Sequence, residues 1–280
     1  MCGIVGIISL DNNEPIDSNE LDRFTDSLTH RGPDGRGTYI NKSKAVGLGH
    51  RRLSILDLTE AGRQPMSYSN NRYWITYNGE VFNFLELKDI LKEKGYIFKT
   101  NSDTEIILAS YQEWGKKCLN KFNGMWSIAI WDEKEKELFI ARDRFGEKPL
   151  YYFKKKNKFF FASELKAFIK LNVSNQPKID DSRILWSSLP SKSTFLENVY
   201  NLEPGSYLTL RENITKIERW WDMNQNISPK SETNYVENCE KFSDLFKDAC
   251  KIRMRSDVPF ASAVSGGLDS SAVFSAIYEI

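Results

Sequence analysis

The first residue with distinctive chemistry is Cys2, directly behind the initiator methionine. If Met1 is removed, one residue carries a thiol and a free α-amine, whose ordinary pKa values of ~8.5 and ~7.7–8.0 lie close together. The amine can then take the thiol proton at little cost, so no catalytic histidine is needed. The alternative is an ordinary buried cysteine at the start of a strand, because free cysteine is among the most buried residue types.

A glycine- and serine-rich segment near the other end of the chain is the second candidate site. It follows the apolar residues 258–264 and precedes a predicted helix, and it reads Ser265-Gly266-Gly267-Leu268-Asp269-Ser270-Ser271. Glycines let the backbone approach a ligand, and successive N–H groups at a helix N-terminus can bind an anion. The segment is neither a Walker A loop nor a GxGxxG loop. A Gly-Gly turn with a serine cap is the alternative.

Composition excludes several classes of protein. With 39 basic and 38 acidic residues the net charge is +1, which argues against a large nucleic-acid interface. The four cysteines show no CxxC spacing and there are two histidines, His30 and His50, so we identify no metal-ligand set. The apolar N-terminal stretch ends by Leu10, too short for a signal peptide or membrane helix. We therefore expect a cytoplasmic protein without membrane association.

Hydrophobic periodicity predicts the elements that must position these residues. A buried strand is expected over 3–10, and a helix capped by Ser18 carries Leu21, Phe24 and Leu28 on one face. A second strand, 73–77, is expected to end at Asn78-Gly79-Glu80. Ser102 and Glu105 have the spacing of a capping box before an apolar helix. Further helices and strands are predicted at 85–94, 106–114, 125–131, 138–141, 150–153 and 159–162. This mixture predicts sheets packed against helices.

The C-terminal part has the organisation of a second domain. Composition shifts near residues 172–177 and 224–233, and the second stretch has the polar character of a linker. A helix over 235–255, a buried strand over 258–264 and the start of another helix follow. A βα unit of this size cannot bury its own sheet, so we expect the chain to be a C-terminally truncated fragment of a longer protein.

Several motifs occur together in a characteristic order. They are Cys2-Gly3-Ile4-Val5-Gly6, His30-Arg31-Gly32-Pro33-Asp34, His50-Arg51-Arg52-Leu53-Ser54-Ile55, Asn78-Gly79-Glu80, Ser102-Asp103-Thr104-Glu105, Arg142-Asp143-Arg144-Phe145-Gly146, Lys148-Pro149-Leu150-Tyr151-Tyr152 and Phe161-Ala162-Ser163-Glu164. The first five resemble class II glutamine amidotransferases. With the remaining motifs and the C-terminal loop, the set resembles the glutamine-hydrolysing asparagine synthetase family over residues 2–271.

The resemblance implies an α+β architecture. Residues 2–215 would form a four-layer αββα glutaminase domain of the N-terminal-nucleophile type, and residues 216–233 would be a linker. Residues 234–280 would begin an α/β ATP-pyrophosphatase domain, similar to the adenine nucleotide α-hydrolases. The stretch from Arg142 to Tyr152 is expected to brace the contact between domains.

The resemblance also implies roles in a glutamine site. Cys2 would attack the glutamine amide, while the Asn78 side-chain amide and the Gly79 N–H would form the oxyanion hole. Arg52 would clamp the α-carboxylate, Asp103 would pair with the α-ammonium, and Glu80 would line the pocket.

Each of these residues also has a purely structural interpretation. Arg52 could be an ordinary salt-bridge partner, Asp103 a helix-start residue, and Asn78-Gly79 a turn. His30 and His50 are expected to shape loops and not to transfer protons.

The C-terminal loop would bind ATP by similarity. Ser265, Gly266, Gly267, Leu268, Asp269, Ser270 and Ser271 would hold its pyrophosphate portion with Mg²⁺, and Val264 would lie near the adenosine. Ala261 stands where the family usually has a glycine.

The expected reaction uses ammonia from glutamine to amidate ATP-activated aspartate, giving asparagine, AMP, pyrophosphate and glutamate. Three alternatives remain: another carboxylate acceptor, a non-catalytic module, or a fragment that hydrolyses glutamine and synthesises nothing. Glutamine, aspartate and ATP are the expected partners, without nucleic acid, and a homodimer is left open.

Overall fold

The computed structural model describes residues 1–11, 14–171, 192–227 and 234–280. Within them the chain forms two compact units, Met1–Asp222 and Met223–Ile280. The expected domain boundary at residue 215 falls inside a strand, Ile214–Arg219, so the first four residues of the expected linker continue a sheet. The composition shift at 172–177 and residues 228–233 of the linker lie outside the described residues.

The first unit contains two antiparallel sheets and most of the helices. Its strands are β1 (Gly3–Ser9), β2 (Gly35–Ile40), β3 (Val46–Arg52), β4 (Met66–Tyr68), β5 (Tyr73–Val81), β6 (Gly124–Asp132), β7 (Glu137–Arg142), β8 (Tyr151–Lys155), β9 (Lys158–Ala162), β10 (Val199–Asn201), β11 (Ser206–Arg211) and β12 (Ile214–Arg219). The helices are α1 (Ser18–Asp26), α2 (Phe84–Glu93), α3 (Asp103–Trp114) and α4 (Leu165–Lys170), with α5 (Tyr235–Arg253) and α6 (Leu268–Glu279) in the second unit. The sheet orders are β10-β8-β9-β1-β3-β2 and β12-β11-β7-β6-β5-β4.

These elements stack as helices, sheet, sheet, helices. A central core that includes Ile4, Phe161 and Leu208 packs between the two sheets. Helices α1 and α4 cover the outer face of the first sheet, where Phe24 packs edge-on against Phe168. Helices α2 and α3 cover the second sheet. The predicted αββα architecture of the N-terminal domain is confirmed.

Strand β1 is buried on both faces because it lies inside this stack. Ile4 and Ile8 face the central core, whereas Val5 and Ile7 face the helical layer. Gly6 allows the close approach of the neighbouring strand, since a Cβ there would lie 2.0 Å from the Phe161 ring. The start of β1, where Cys2 lies, is therefore held in a rigid frame.

Strand β5 does not end where the sequence predicted. It runs through the Asn-Gly-Glu segment to Val81, paired with β6 so that Gly79 lies opposite Trp126. Gly79 has a φ of +155°, and a Cβ on it would lie 2.2 Å from the Met125 carbonyl oxygen. The ladder with β6 therefore overrides the local turn preference of Asn-Gly, and it places Asn78 on a strand.

The helix caps also differ in detail from the prediction. Asp17, and not Ser18, caps α1 by accepting the Asn19 N–H. Ser102 does cap α3, but its hydroxyl accepts the Thr104 N–H. The Glu105 carboxylate instead accepts the N–H groups of Lys99 and Thr100, so a reciprocal capping box does not form.

In the second unit, α5 and α6 form as predicted but the strand over 258–264 does not. A buried parallel strand needs neighbours to accept its ladder hydrogen bonds, and the described residues provide none there. Val264 is instead exposed. Among the described helices, none is both long and apolar enough to cross a membrane.

Candidate active site

One cavity of the first unit brings together all six residues expected in the glutamine site. Its volume is about 220 Å³. The six are Cys2, Arg52, Asn78, Gly79, Glu80 and Asp103. Cys2 directly precedes β1, Arg52 ends β3, and Asp103 begins α3, while Asn78, Gly79 and Glu80 lie in the C-terminal half of β5. Both sheets and one helix therefore build the site.

Cys2 is held at the edge of this cavity by backbone contacts. Its Sγ accepts the Leu53 N–H at 3.4 Å and lies 3.6 Å from the Leu53 carbonyl oxygen. Arg31 Nε donates to the Cys2 carbonyl at 2.8 Å, and Glu164 fixes that guanidinium at 2.9 Å. Burial raises the pKa of the Cys2 thiol, so a base is required to form the thiolate near neutral pH.

Met1 lies at the same end of the cavity. Its Sδ is 3.5 Å from Lys148 Nζ and 3.9 Å from an Arg31 nitrogen. Burial, with help from these two cations, lowers the pKa of its α-amine, although Cys2 opposes the shift. Hydrolysis of the Met1–Cys2 peptide bond would remove Met1 from the cavity lining and turn the Cys2 backbone nitrogen into a free α-amine.

Arg52 is oriented by backbone carbonyls. Its guanidinium donates to Thr59 O at 2.9 Å, to Leu56 O at 3.0 Å and to Asp57 O. Gly62 permits this arrangement, because a Cβ there would lie 2.2 Å from an Arg52 nitrogen. Its hydrogen-bond partners among the described residues are uncharged carbonyl groups, and the nearby Asp57 carboxylate interacts with its charge.

Asn78 presents an unsatisfied donor. The residue is 1% exposed, and its Nδ2 finds no acceptor among the described residues. A buried amide nitrogen without a partner costs about 1–3 kcal/mol, so an oxygen anion placed against it would be bound favourably. This property suits an oxyanion hole.

Asp103 is a buried carboxylate at the first turn of α3. Its Oδ2 accepts the Tyr77 hydroxyl at 2.7 Å and the Val81 N–H at 3.0 Å. Burial raises the pKa of Asp103, and these two donors oppose the shift. The carboxylate is thus fixed in orientation at the wall of the cavity.

Glu80 and Lys148 carry opposite charges in the pocket wall and interact electrostatically. Burial and the nearby Asp103 raise the pKa of Glu80, whereas Lys148 opposes the shift. Burial lowers the pKa of Lys148 and Glu80 opposes it. Each charge therefore stabilises the other in a partly dehydrated site.

Neither histidine is placed for proton transfer to Cys2. His50 is buried in β3 and its Nε2 donates to the Tyr77 carbonyl at 3.0 Å. Burial lowers the pKa of His50 to about 4. His30 instead contacts Glu164 at 2.9 Å on the surface. Neither lines the cavity that holds Cys2.

Sequence reasoning missed several residues of the cavity wall. They include Leu53, Gly62, Gln64, Tyr77 and Lys148. Leu53, Tyr77 and Lys148 lie in or beside the recognised motifs, so their position next to predicted site residues could have identified them. Gly62 and Gln64 carry no such signal, because their positions depend on how the loop before β4 folds back onto Arg52 and Tyr77.

The C-terminal loop has a geometry compatible with an anion. Gly266 has a φ of +82°, and a Cβ there would meet nothing within 4 Å. Ser270 Oγ lies 3.0 Å from Ser265 Oγ and accepts the Ser265 N–H at 3.2 Å, which closes the loop at the start of α6. No group of three or more metal-ligating side chains is found among the described residues.

Two antiparallel sheets lie between helical layers, and one cavity is lined by Cys2 and by the buried Asn78 amide, whose nitrogen has no acceptor among the described residues. This is the fold of the N-terminal-nucleophile glutamine amidotransferases. Residues 1–221 match the glutamine amidotransferase domain, and residues 241–279 match asparagine synthase. The chain therefore belongs to the glutamine amidotransferase family.

Relatives with whole-chain similarity sharpen this assignment. Glutamine-hydrolysing asparagine synthetase 1 of Bacillus subtilis is 37% identical over 100% of the chain, which spans 44% of that protein. Amidase chry2 of Gibberella zeae is 34% identical over 98% of the chain and 42% of its own length. The chain thus spans less than half the length of these relatives.

A solved structure supports the fold. Glutamine phosphoribosylpyrophosphate amidotransferase of B. subtilis superposes with a TM-score of 0.61 at 20% identity, covering 100% of this chain and 64% of that one.

Proposed function

We propose that the chain hydrolyses glutamine to glutamate and ammonia at Cys2 once Met1 has been removed. The observation that carries this proposal is one cavity lined by Cys2, Arg52, Asp103 and Asn78, whose amide nitrogen finds no acceptor among the described residues. Glutamine offers a carboxylate, an ammonium and an amide carbonyl, and the cavity has a complementary group for each.

The chemistry begins with the buried thiol. The α-amine of Cys2 takes the thiol proton, and the sulfur attacks the amide carbon of glutamine. The Asn78 amide and the Gly79 N–H stabilise the tetrahedral oxyanion. The ammonium of Cys2 returns the proton to the leaving nitrogen, so ammonia departs and a thioester remains. Water activated by the same amine then hydrolyses the thioester to glutamate.

Binding of the α-carboxylate and α-ammonium groups orients glutamine in the pocket. The Arg52 guanidinium supplies the positive charge that attracts the α-carboxylate, and Asp103 neutralises the α-ammonium. Glu80 and Lys148 complete the wall. Because Arg52, Glu80 and Asp103 lie on strands or at a helix start, substrate orientation costs little additional ordering.

We further propose that, in the complete enzyme, the ammonia amidates aspartate activated with ATP. The exposed loop from Ser265 to Ser271 would hold the pyrophosphate of the ATP substrate through its N–H and hydroxyl groups, with Mg²⁺ balancing the charge. The similarity to asparagine synthetases supports this acceptor. A different carboxylate acceptor is the second candidate, because a relative of similar identity is named an amidase and not an asparagine synthetase.

Ammonia release from glutamine tests the first proposal. Cys2→Ala should lower the rate at least about 10⁴-fold, because the nucleophile is lost while the pocket remains. Intact-mass analysis of the active wild type should show that Met1 is absent. Ammonia release by Cys2→Ala at the wild-type rate, or an active protein that retains Met1, would contradict the mechanism.

A further inference from the structure

Tyr77 connects the strand that carries Asn78 with the helix that carries Asp103. It lies on β5, immediately before Asn78, and is only 2% exposed. The hydroxyl of a buried tyrosine usually needs a hydrogen-bond partner. In Tyr77 the hydroxyl and both backbone polar groups are hydrogen-bonded. Its hydroxyl, its N–H and its carbonyl each contact a different buried side chain.

The hydroxyl acts on the recognition carboxylate. It donates to Asp103 Oδ2 at 2.7 Å, and the Val81 N–H donates to the same oxygen at 3.0 Å. Two donors on one oxygen prevent the carboxylate from rotating about its bond to the chain. Burial raises the pKa of Tyr77 well above its ordinary value, so the phenol remains a donor at working pH.

The backbone of Tyr77 is fixed from two other elements. Its N–H donates to Gln64 Oε1 at 2.7 Å, and its carbonyl accepts from His50 Nε2 at 3.0 Å. Gln64 Nε2 in turn donates to Thr104 Oγ1 at 3.2 Å, beside Asp103. The network therefore runs from the strand that carries Asn78 back to the helix that carries Asp103.

We propose that Tyr77 is a positioning residue that sets Asp103 to receive the α-ammonium of glutamine. It does so in the same frame that holds the Asn78 amide. This inference rests on the proposed glutaminase function and adds a specificity element to it. A tyrosine retained only to fill the core would gain nothing from this hydroxyl, because phenylalanine fills almost the same volume.

The substitution Tyr77→Phe separates the two possibilities. It removes the donor to Asp103, while the backbone bonds to Gln64 and His50 stay in place. Two substrates are compared: glutamine, and glutaramate, which is glutamine without its α-amino group. Both contain the amide and the carboxylate, and only glutamine has the cation that Asp103 would bind.

Tyr77→Phe should lower kcat/KM for glutamine about tenfold through KM, with kcat nearly unchanged, because a hydrogen bond to a charged group is lost. For glutaramate the change in kcat/KM should be less than about twofold, since glutaramate has no ammonium group to contact the Asp103 carboxylate. Equal loss on both substrates, or no loss on either, would overturn the proposal.

A pH profile gives an independent reading. Removing a donor to the carboxylate raises the pKa of Asp103, so the acid limb of kcat/KM for glutamine should move to higher pH. Cys2, Arg52, Glu80 and Lys148 face the same cavity and remain in both proteins. An acid limb that stays in place would count against the proposal.

Controls protect the test from folding defects. Rates are taken per active site, titrated by covalent labelling of Cys2 with an electrophilic glutamine analogue, so unfolded protein is not counted. Tyr73→Phe is the matched control: Tyr73 is 5% exposed on the same strand and does not line the cavity. It should leave kcat/KM unchanged for both substrates.

The same assay separates this proposal from the proposed function. Wild type that releases no ammonia would refute the proposed function itself, whereas with an active wild type the comparison tests only the role of Tyr77.

Discussion

At the scale of single residues, the burial of Asn78 costs stability, and its proposed role in the oxyanion hole would account for that cost. Folding buries its Nδ2 without an acceptor among the described residues, although buried amides are normally paired. Native proteins accept such a cost where a ligand supplies the missing partner. The transition state of amide hydrolysis would supply it here, as an oxygen anion.

We predict that Asn78→Ala lowers kcat for glutamine hydrolysis about 10²–10³-fold with a much smaller effect on KM, because an oxyanion donor acts mainly in the transition state. The free energy of unfolding should stay within about 1 kcal/mol of wild type, since no satisfied Nδ2 bond is lost. Steady-state kinetics and chemical denaturation measure the two quantities. A large loss of stability with an unchanged kcat would assign Asn78 to the fold alone.

At the scale of elements, short contiguous motifs were predictable and contacts between distant elements were not. Cys2, Arg52 and Asn78 each stand inside a recognisable segment, so their types and positions could be read directly. The end of β5 could not, because Asn-Gly locally favours a turn while pairing with β6 carries the strand on to Val81.

Partners across elements lie beyond local rules. Gln64 meets the backbone of Tyr77 and the side chain of Thr104, and nothing in the sequence links these three positions. The same holds for His50, which joins β3 of one sheet to β5 of the other. Such contacts follow from sheet packing and register, which only the assembled fold determines.

Burial of His50 makes stability depend on pH. Burial and the nearby Arg52 lower the pKa of His50 to about 4, although the Tyr77 carbonyl opposes the shift. An unfolded histidine titrates near 6.5, so between these values the unfolded chain binds more protons and stability falls as pH falls. This contribution is complete above about pH 6.5 and is lost towards pH 4.

His50→Gln should therefore flatten the pH dependence. Between pH 7 and 4.5 the wild type should lose about 2–3 kcal/mol more unfolding free energy than the variant, whose side chain does not titrate. Denaturation curves at a series of pH values test this. Parallel pH profiles for the two proteins would show that His50 is not the group responsible.

At the scale of the whole molecule, the two units differ in how they are stabilised. The first has cores between its sheets and under each helical layer. The second exposes large apolar side chains such as Phe242, Leu245 and Tyr278. The strand predicted at 258–264 does not form in this unit, because a buried strand requires neighbouring strands and the described residues supply none there.

Every residue of the proposed glutamine site lies within Met1–Asp222, in the unit with the continuous cores. We predict that a chain ending at residue 222 folds cooperatively and releases ammonia from glutamine with kcat/KM within about threefold of the 280-residue chain, because no pocket group is removed. Thermal unfolding by circular dichroism and the ammonia assay test folding and activity on the same sample. Cys2→Ala in the shorter chain is the negative control. A shorter chain that folds but is inactive would mean that residues after 222 complete the glutamine site.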